Sequence, residues 1–424
     1  MNKLNSTYAD TKAVKNNDSP ESEYQVGIVG TFDIENYGDL LFPLIAQLQL
    51  KRRVENIKVI SFAPNAVSQY RPWPIEVNST DTMNRFLPSL SALLIGGGQI
   101  VRFDKSYPIA LTSNSNLPID YWLSPAALGA LLGKPVIWNA VGAWTGSPVP
   151  PWYIRVLKAT LSASALVAVR DEPSYAHLHQ VNPLAAIQQV PDTVFSLARL
   201  WPNEEFSAEY IAWTKKLNIE GSYIVIQADS FIVKYKDAIQ KLLHDLGITT
   251  VVVLPVCRCH GDSSDHFRAF ACDNLVRSEW LSPLLTCEVI SHASFVVASS
   301  LHACITSICY GVTCIRIESF NSSDRKFEML GNFENICRPE ETDRIHNLFF
   351  RSKVIDPRAI ECANLLELYW DEVAKIVTGW QTSNGTDATS IMLPWAMEVF
   401  RDIEFAGLQN QMQMNNRFRW NPFS

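Results

Sequence analysis

The chain has 424 residues, of which 47% are hydrophobic and 19% are charged. A chain of this length can bury a large core and is expected to form two or three domains. Its formal net charge of -7 argues against a duplex nucleic-acid binder, which needs a basic face to displace counterions from phosphates. No nucleic-acid partner is therefore expected.

The first 22 residues are polar and rich in turn-forming residues, and they contain no apolar run of the kind a signal peptide requires. Their composition predicts a disordered leader. The longest apolar stretches, Leu123 to Trp144 and Phe295 to Ile317, are interrupted by glycine, proline, Lys134 or His302. Because a membrane span needs about 20 apolar residues in succession, we expect a soluble, cytoplasmic protein.

From Tyr24 onward, short runs rich in β-branched residues alternate with helical patterns, which is typical of a parallel sheet with crossover helices. Six such runs precede Trp201: VGIVG, IKVISF, ALLIGGG, KPVIWNAVG, ALVAVR and AIQQVPD. They predict one doubly wound domain over residues 23–200. The loops that follow the strands of such a domain line a common cleft.

Residues 201–221 are the predicted linker, and four more strand runs follow them: YIVIQAD, TTVVVLPV, SFVVASS and TCIRIES. These runs predict a second domain over residues 222–355. The expected fold class is α/β, with two Rossmann-like, doubly wound domains facing a central cleft.

Apolar residues at helical spacing predict a closing helix over residues 356–379. The tail over residues 380–424 ends in QNQMQMNNRFRWNPFS, which combines aromatic and basic residues. Peripheral docking on a membrane surface is one interpretation of this tail. Simple packing or disorder is favoured, because a membrane-surface helix carries a longer charged face.

The segment GTFDIENYGDLLF predicts a strand that ends at Gly30 and a helix that begins near Asp39. Asn36 and Asp39 then lie in the first strand-to-helix turn, which points into the cleft of a doubly wound domain and can meet a ligand. The favoured alternative for this segment alone is structural: Asp39 stabilises the helix start and Asn36 is a turn residue.

Three glycines, Gly96, Gly97 and Gly98, follow the strand run ALLI. Without a Cβ, their backbone N–H groups can approach a ligand closely, and they also permit strained turn angles. The segment matches neither GxGxxG nor the P-loop, so neither of those nucleotide-binding mechanisms is supported.

In ALVAVRDEPSY, a buried strand runs into Arg170, and a helix is expected to start near Ser174. A buried arginine needs an anionic partner, and its planar fork suits the carboxylate or phosphate of a ligand. An internal ion pair with Asp171, Glu172 or Asp192 is the equal alternative.

In SFVVASSLHACITSICYG, a buried strand is expected to end at Ala298, with Ser299 or Ser300 capping a helix that Gly311 closes. His302 then lies in the first helical turn. Unpaired backbone N–H groups attract anions there, and an imidazole can supply a proton. A hydrogen-bonded core histidine is the alternative, and the two are left open.

Nine cysteines occur without the spacing of a disulfide framework, which favours a reducing compartment. Cys257, Cys259 and His260 form CxCH, which lacks the second spaced ligand pair of a zinc motif. We therefore expect no metal and interpret this segment as a loop.

Taken in order, these segments resemble the polysaccharide pyruvyl transferase family. The resemblance runs from about Tyr24 to about Leu330 and is carried by NYGDLL, GGGQI, VRDEPS, VPD, SSLHACITSICYG and SDRKFEMLG. It implies two Rossmann-like domains arranged as in GT-B glycosyltransferases. It also implies transfer of pyruvate from phosphoenolpyruvate, as a ketal, onto a sugar of an exopolysaccharide or surface glycan precursor, with no cofactor beyond this donor.

Residue by residue, the resemblance makes His302 and Arg170 the catalytic candidates. Many members have an arginine where this chain has Ser300, so a second basic group is expected from Lys326 or Arg325. Asp39 or Asp192 is expected to take the proton of the attacking hydroxyl. The substrate-binding candidates are Ser299, Ser300, Lys326, Arg325, Asn36, Asp39, Gly96, Gly97, Gly98 and Asp192.

Two other functions stay open, because fold alone does not set function. One is a GT-B nucleotide-sugar glycosyltransferase, and the other is a non-catalytic sugar-binding relative, which Ser300 favours. For the leading function the partners are phosphoenolpyruvate and a saccharide acceptor, free or lipid-linked, in the cytoplasm or at the inner face of its membrane. Acceptor choice is expected to lie in loops such as Phe103 to Asp120.

Overall fold

The computed structural model describes residues 24–67, 73–103, 121–146, 148–318, 325–331, 333–351 and 353–380. The predicted leader, nearly all of the predicted tail and the loop expected to choose the acceptor lie outside these residues.

A seven-stranded sheet forms the first half of the chain. Its strands are β1 Tyr24–Val29, β2 Ile57–Ala63, β3 Val77–Ser79, β4 Ala92–Ile95, β5 Val136–Val141, β6 Leu166–Val169 and β7 Ile187–Gln189. They are parallel and lie in the order β3-β2-β1-β4-β5-β6-β7. The order reverses between β1 and β4, where doubly wound sheets bind ligands.

Six helices accompany this sheet in the described residues: α1 Tyr37–Lys51, α2 Met83–Phe86, α3 Leu123–Leu131, α4 Pro151–Ala163, α5 Glu172–Val181 and α6 Leu197–Leu200. All six strand runs expected before Trp201 are present. The sequence missed β3, a three-residue edge strand of which only Val77 is buried.

A six-stranded sheet forms the second half. Its strands are β8 Tyr223–Gln227, β9 Thr250–Leu254, β10 Asn274–Arg277, β11 Phe295–Ala298, β12 Thr313–Arg316 and β13 Ile336–Cys337. They are parallel in the order β10-β9-β8-β11-β12-β13. Its helices are α7 Ala208–Lys216, α8 Lys236–Leu246, α9 Pro283–His292, α10 Leu301–Cys309, α11 Thr342–Phe349 and α12 Pro357–Gly379.

The central strands form because their side chains are apolar on both faces. Every residue of β5, β8 and β9 is buried, as expected for a parallel sheet covered by helices on both sides. α8 shows the complementary pattern, since it buries an apolar stripe at helical spacing and ends at Gly247 in the left-handed conformation. The predicted fold class is therefore confirmed.

The closing helix α12 returns to the first sheet. Glu367 lies 2.5 Å from Arg53, and the Tyr369 hydroxyl donates to Asn139 at 3.0 Å. None of the described helices combines the length and the hydropathy needed to span a bilayer.

The two sheets meet through the turn between β1 and α1. The backbone N–H of Tyr37 donates to the carbonyl of Val256 at 3.0 Å, and that of Arg258 donates to Glu35 at 2.9 Å. The side chain of Tyr37 also hydrogen-bonds Thr306 of α10 at 3.2 Å. The first strand-to-helix turn is thus held against the loop that follows β9.

Candidate functional site

The turn after β1 is organised by Asn36. Its side-chain oxygen accepts from the N–H of Gly38 at 3.2 Å, so α1 begins at Tyr37, two residues before the expected start. Its amide group donates to Asp39 at 2.9 Å, and the Thr31 hydroxyl donates to the same carboxylate oxygen at 2.5 Å. The local geometry therefore shows the structural alternative, in which Asn36 and Asp39 stabilise the turn and the start of α1.

Asp39 is buried in the first turn of α1. Burial raises its pKa, and the nearby His302, the Thr31 hydroxyl and His260 offset part of that rise. A buried carboxyl group with a raised pKa at a cleft is a candidate for proton transfer.

The three glycines after β4 adopt φ angles of 72°, 116° and 70°. A Cβ on Gly97 would lie 2.2 Å from the Phe42 ring, and one on Gly98 would lie 3.0 Å from a carboxylate oxygen of Asp39. The turn therefore needs glycine both for its backbone angles and for its close packing beneath α1. Ligand contact by Gly96, Gly97 and Gly98 stays a prediction.

Arg170 is only 3% exposed, and its partners are internal. Its guanidinium lies 3.0 Å from Asp192 and 3.3 Å from Asp171. Burial alone would lower the pKa of Arg170, but the two carboxylates raise it above its ordinary value. The internal ion pair is thus the alternative that the structure supports. Asp171 also caps α5, which therefore begins before Ser174.

His302 lies in the first turn of α10, which Ser300 caps. Its Nε2 is 3.7 Å from Asp192, beyond hydrogen-bond distance, and has no hydrogen-bond partner among the described residues. The ring meets Phe42 edge to face at 5.4 Å, and a Cβ on Gly38 would lie 2.0 Å from its Nδ1. His302, on α10 of the second sheet, thus contacts α1 of the first sheet.

Asp192 is fully buried and accepts from the backbone N–H of Val194 at 3.0 Å. Burial raises its pKa, but His302, Arg170 and this N–H group together lower it below its ordinary value. Asp192 is therefore an ionised carboxylate that lies between Arg170 and His302. We call Arg170, Asp171, Asp192 and His302 the ion-pair cluster.

A buried glutamine, missed by the sequence analysis, links α10 to the loop after β9. The side-chain oxygen of Gln227 accepts from the N–H groups of Ser299 and Ser300 at 2.9 and 2.8 Å. Its amide group lies 3.2 Å from Asp262, which accepts from the N–H of Cys257 at 2.9 Å. The only sequence signal was a polar residue ending an apolar strand run.

The two expected substitutes for the missing arginine lie in a 3-10 helix, Arg325–Leu330. Arg325 is exposed and lies 2.5 Å from Glu328. The ammonium group of Lys326 lies 5.2 Å from the centre of the Phe327 ring. Its charge acts to lower the pKa of His260. Lys326 therefore supplies positive charge near His260.

Cys257, Cys259 and His260 converge after β9, in a short 3-10 helix spanning Arg258–His260. Their ligand atoms all lie within 4.8 Å of one another, and the two sulfurs are 3.2 Å apart. Hydrogen bonds from Cys257 and then His260 lower the pKa of the Cys259 thiol to about 6, against the effect of burial. We call these three residues the thiol cluster.

The thiol cluster reaches the same junction as the ion-pair cluster, because Cys257 forms an antiparallel bridge with Asn36. The sequence places these residues in a loop, but their proximity to Asp39 depends on contacts between the two sheets.

Fold and site together define a GT-B-like α/β protein with a histidine and carboxylate cluster at the junction of its two sheets. The family model "Polysaccharide pyruvyl transferase" matches residues 36–319. The chain therefore belongs to the polysaccharide pyruvyl transferase family, and this membership implies a transferase with a saccharide acceptor. No curated protein matches the chain.

Solved structures of UDP-GlcNAc 2-epimerase from Methanocaldococcus jannaschii share the fold. One has a TM-score of 0.55 at 11% identity and covers 84% of this chain and 100% of that chain. Another, in complex with UDP-GlcNAc and UDP, has a TM-score of 0.50 at 11% identity, with 82% and 99% covered. At this identity the likeness concerns the fold alone.

Proposed function

We propose that this protein transfers pyruvate from phosphoenolpyruvate to a sugar, forming a ketal that bridges two hydroxyl groups. The observation that carries the proposal is His302, whose Nε2 lies 3.7 Å from the buried carboxylate of Asp192 and lacks a hydrogen-bond partner among the described residues. A buried polar atom without a partner marks a place where a ligand group can bind.

His302 is the proposed acid. Ketal formation begins when a proton is added to the methylene carbon of phosphoenolpyruvate, which leaves an electrophilic carbon beside the phosphate oxygen. The buried carboxylate of Asp192, 3.7 Å from Nε2, faces the imidazole that supplies this proton. One sugar hydroxyl then attacks the carbon, and the second hydroxyl replaces phosphate, which leaves as the other product.

Arg170 takes a different part from the catalytic one that the family resemblance implies. Its charge is already compensated by Asp171 and Asp192, and it is almost fully buried. We assign it as a positioning residue that keeps Asp192 ionised and directed at His302. The anionic donor is held instead by Lys326 and the positive end of the α10 dipole.

Asp39 is the proposed base. Its raised pKa suits a carboxyl group that receives a proton from an attacking hydroxyl. It is held in place by Thr31 and Asn36, so its orientation does not depend on the substrate.

The acceptor is a saccharide precursor of an exopolysaccharide or another surface glycan, free or lipid-linked, and the reaction is placed in the cytoplasm. No cofactor beyond phosphoenolpyruvate is proposed. Family membership and the chemistry of the site support this assignment, whereas the shared fold does not choose among substrates.

Ligand-induced thermal stabilisation tests the proposal. Phosphoenolpyruvate is expected to raise the Tm of the purified chain, because a ligand that binds only the folded state stabilises it. UDP-sugars are expected to leave Tm unchanged. Lys326→Ala should weaken the response to phosphoenolpyruvate, whereas Lys375→Ala, on α12, should preserve it. Stabilisation by UDP-sugars alone would favour a glycosyltransferase.

A further inference from the structure

The thiol cluster has the donor atoms of a metal site: two sulfurs and an imidazole nitrogen within 4.8 Å of one another. Soft thiolate and imidazole ligands select zinc and similar cations over magnesium or calcium, which prefer oxygen. The cluster is therefore suited to a cation different from those that phosphate-transferring enzymes usually hold.

The backbone of this segment is fixed independently of any ligand. One carboxylate oxygen of Asp262 accepts from the N–H groups of Val256 and Cys257, each at 2.9 Å. Gly261, at a φ of 93°, ends the turn, and its carbonyl lies 3.0 Å from the ring of His266. The ligands would thus be presented by a preorganised loop, which lowers the cost of ordering them on binding.

The distance between the two sulfurs is compatible with one bound cation after a small adjustment. Sulfur to zinc bonds of about 2.3 Å place two tetrahedral ligands about 3.8 Å apart, against 3.2 Å between Cys257 and Cys259. Rotation of the half-buried Cys259 side chain can accommodate that difference. The sulfurs are too far apart for a disulfide, and both thiols are free.

We propose that Cys257, Cys259 and His260 bind one divalent cation of the zinc class, with a fourth coordination position open to the cleft. Three protein ligands with an open position are typical of zinc sites that meet water or substrate, whereas structural sites use four. Asp39 lies close enough to act electrostatically on both Cys259 and His260. This site goes beyond the proposed pyruvyl transfer and does not depend on it.

Calorimetric titration with zinc tests the site on the full chain, after chelator treatment and in the presence of a reductant. We expect one zinc per chain. The double variant Cys257→Ser, Cys259→Ser and the single variant His260→Ala should each weaken binding by at least about 10-fold, the loss seen even for residues that only support metal ligands. Cys272→Ser, another half-buried cysteine, is the matched control and should bind as the wild type does.

Cobalt(II) provides a second readout that does not depend on activity. A thiolate charge-transfer band should appear in the wild type and in Cys272→Ser and be lost in the double variant. Far-ultraviolet circular dichroism establishes that each variant is folded. The proposal is overturned by the absence of saturable zinc binding in the reduced wild type, or by binding that the double variant retains.

Discussion

The ion-pair cluster and the thiol cluster both lie beside Asp39, but their polar groups are compensated in different ways. In the ion-pair cluster, Asp192 is fully buried between Arg170 and His302. In the thiol cluster, burial falls from Cys257 through Cys259 to the exposed His260. A buried charge needs a fixed internal partner, whereas groups near solvent can exchange water for a ligand. Substitutions in the ion-pair cluster should therefore destabilise the fold, whereas the thiol cluster can bind an added ion.

Replacing Asp192 should have the largest effect on stability. Asp192→Asn leaves the buried Arg170 with one carboxylate instead of two and places an amide donor toward it. Breaking a buried ion pair from one side costs about 3–5 kcal/mol, so the free energy of unfolding in urea should fall by about that amount. The control Asp265→Asn disturbs exposed pairs and should cost at most about 1 kcal/mol. A similar loss for both variants would contradict the role of Asp192 in a buried ion pair.

Zinc should stabilise the chain through the thiol cluster. At a free concentration about 100 times its Kd, a ligand specific for the folded state adds about 2.7 kcal/mol. Urea unfolding with zinc and with chelator should differ by that amount for the wild type and for Cys272→Ser. Cys259→Ser should show little difference. Equal stabilisation of Cys259→Ser would place the bound zinc elsewhere.

Gly38→Ala tests how closely α1 and His302 must approach. The added Cβ would lie 2.0 Å from Nδ1 of His302, so the imidazole must shift from its position beside Asp192. Overpacking of this kind costs about 1–3 kcal/mol, and transfer activity should fall with it. Gly379→Ala, where nothing lies within 4 Å, should be neutral or stabilising. A fully active and stable Gly38→Ala variant would contradict the arrangement.

The pH dependence of the Asp192 contribution tests the ionisation of this carboxyl group separately. The folded state lowers the pKa of Asp192 below its ordinary value of 3.8, so the unfolded chain binds its proton first as pH falls. The stability advantage of wild type over Asp192→Asn should be complete above that value and disappear as pH falls through the folded pKa. An advantage that stays constant through the acidic range would show that Asp192 is not ionised in the folded chain.

Much of the fold was predictable because the strands are buried on both faces. Apolar runs such as those of β5 and β9 predict a strand, and their burial on both faces predicts that the sheet is parallel. Short edge strands were not predictable, because β10 buries only Val276 and β13 is two residues long. Both owe their conformation to pairing with a neighbouring strand. α1 begins two residues before the expected start near Asp39, because Asn36 caps the helix.

The candidate site was predictable only within each segment. His302 was named from its position at a helix start and Asp192 from the end of the strand run AIQQVPD. Their 3.7 Å approach depends on the packing of one sheet against the other. The sequence left the partner of Arg170 open, and the structure supplies Asp171 and Asp192. Convergence of the thiol cluster with Asp39 has no sequence signal, because Asn36 and Cys257 are brought together only by the fold.

The most direct test of pyruvyl transfer combines phosphate release with mass spectrometry of saccharide acceptors incubated with phosphoenolpyruvate. The wild type should release phosphate and add the mass of a pyruvate ketal to an acceptor. His302→Ala should lower that rate by about 10²–10⁴-fold, the usual contribution of a general acid, while remaining folded. Sugar transfer from a UDP-sugar without consumption of phosphoenolpyruvate, or ketal formation unaffected by His302→Ala, would contradict the account.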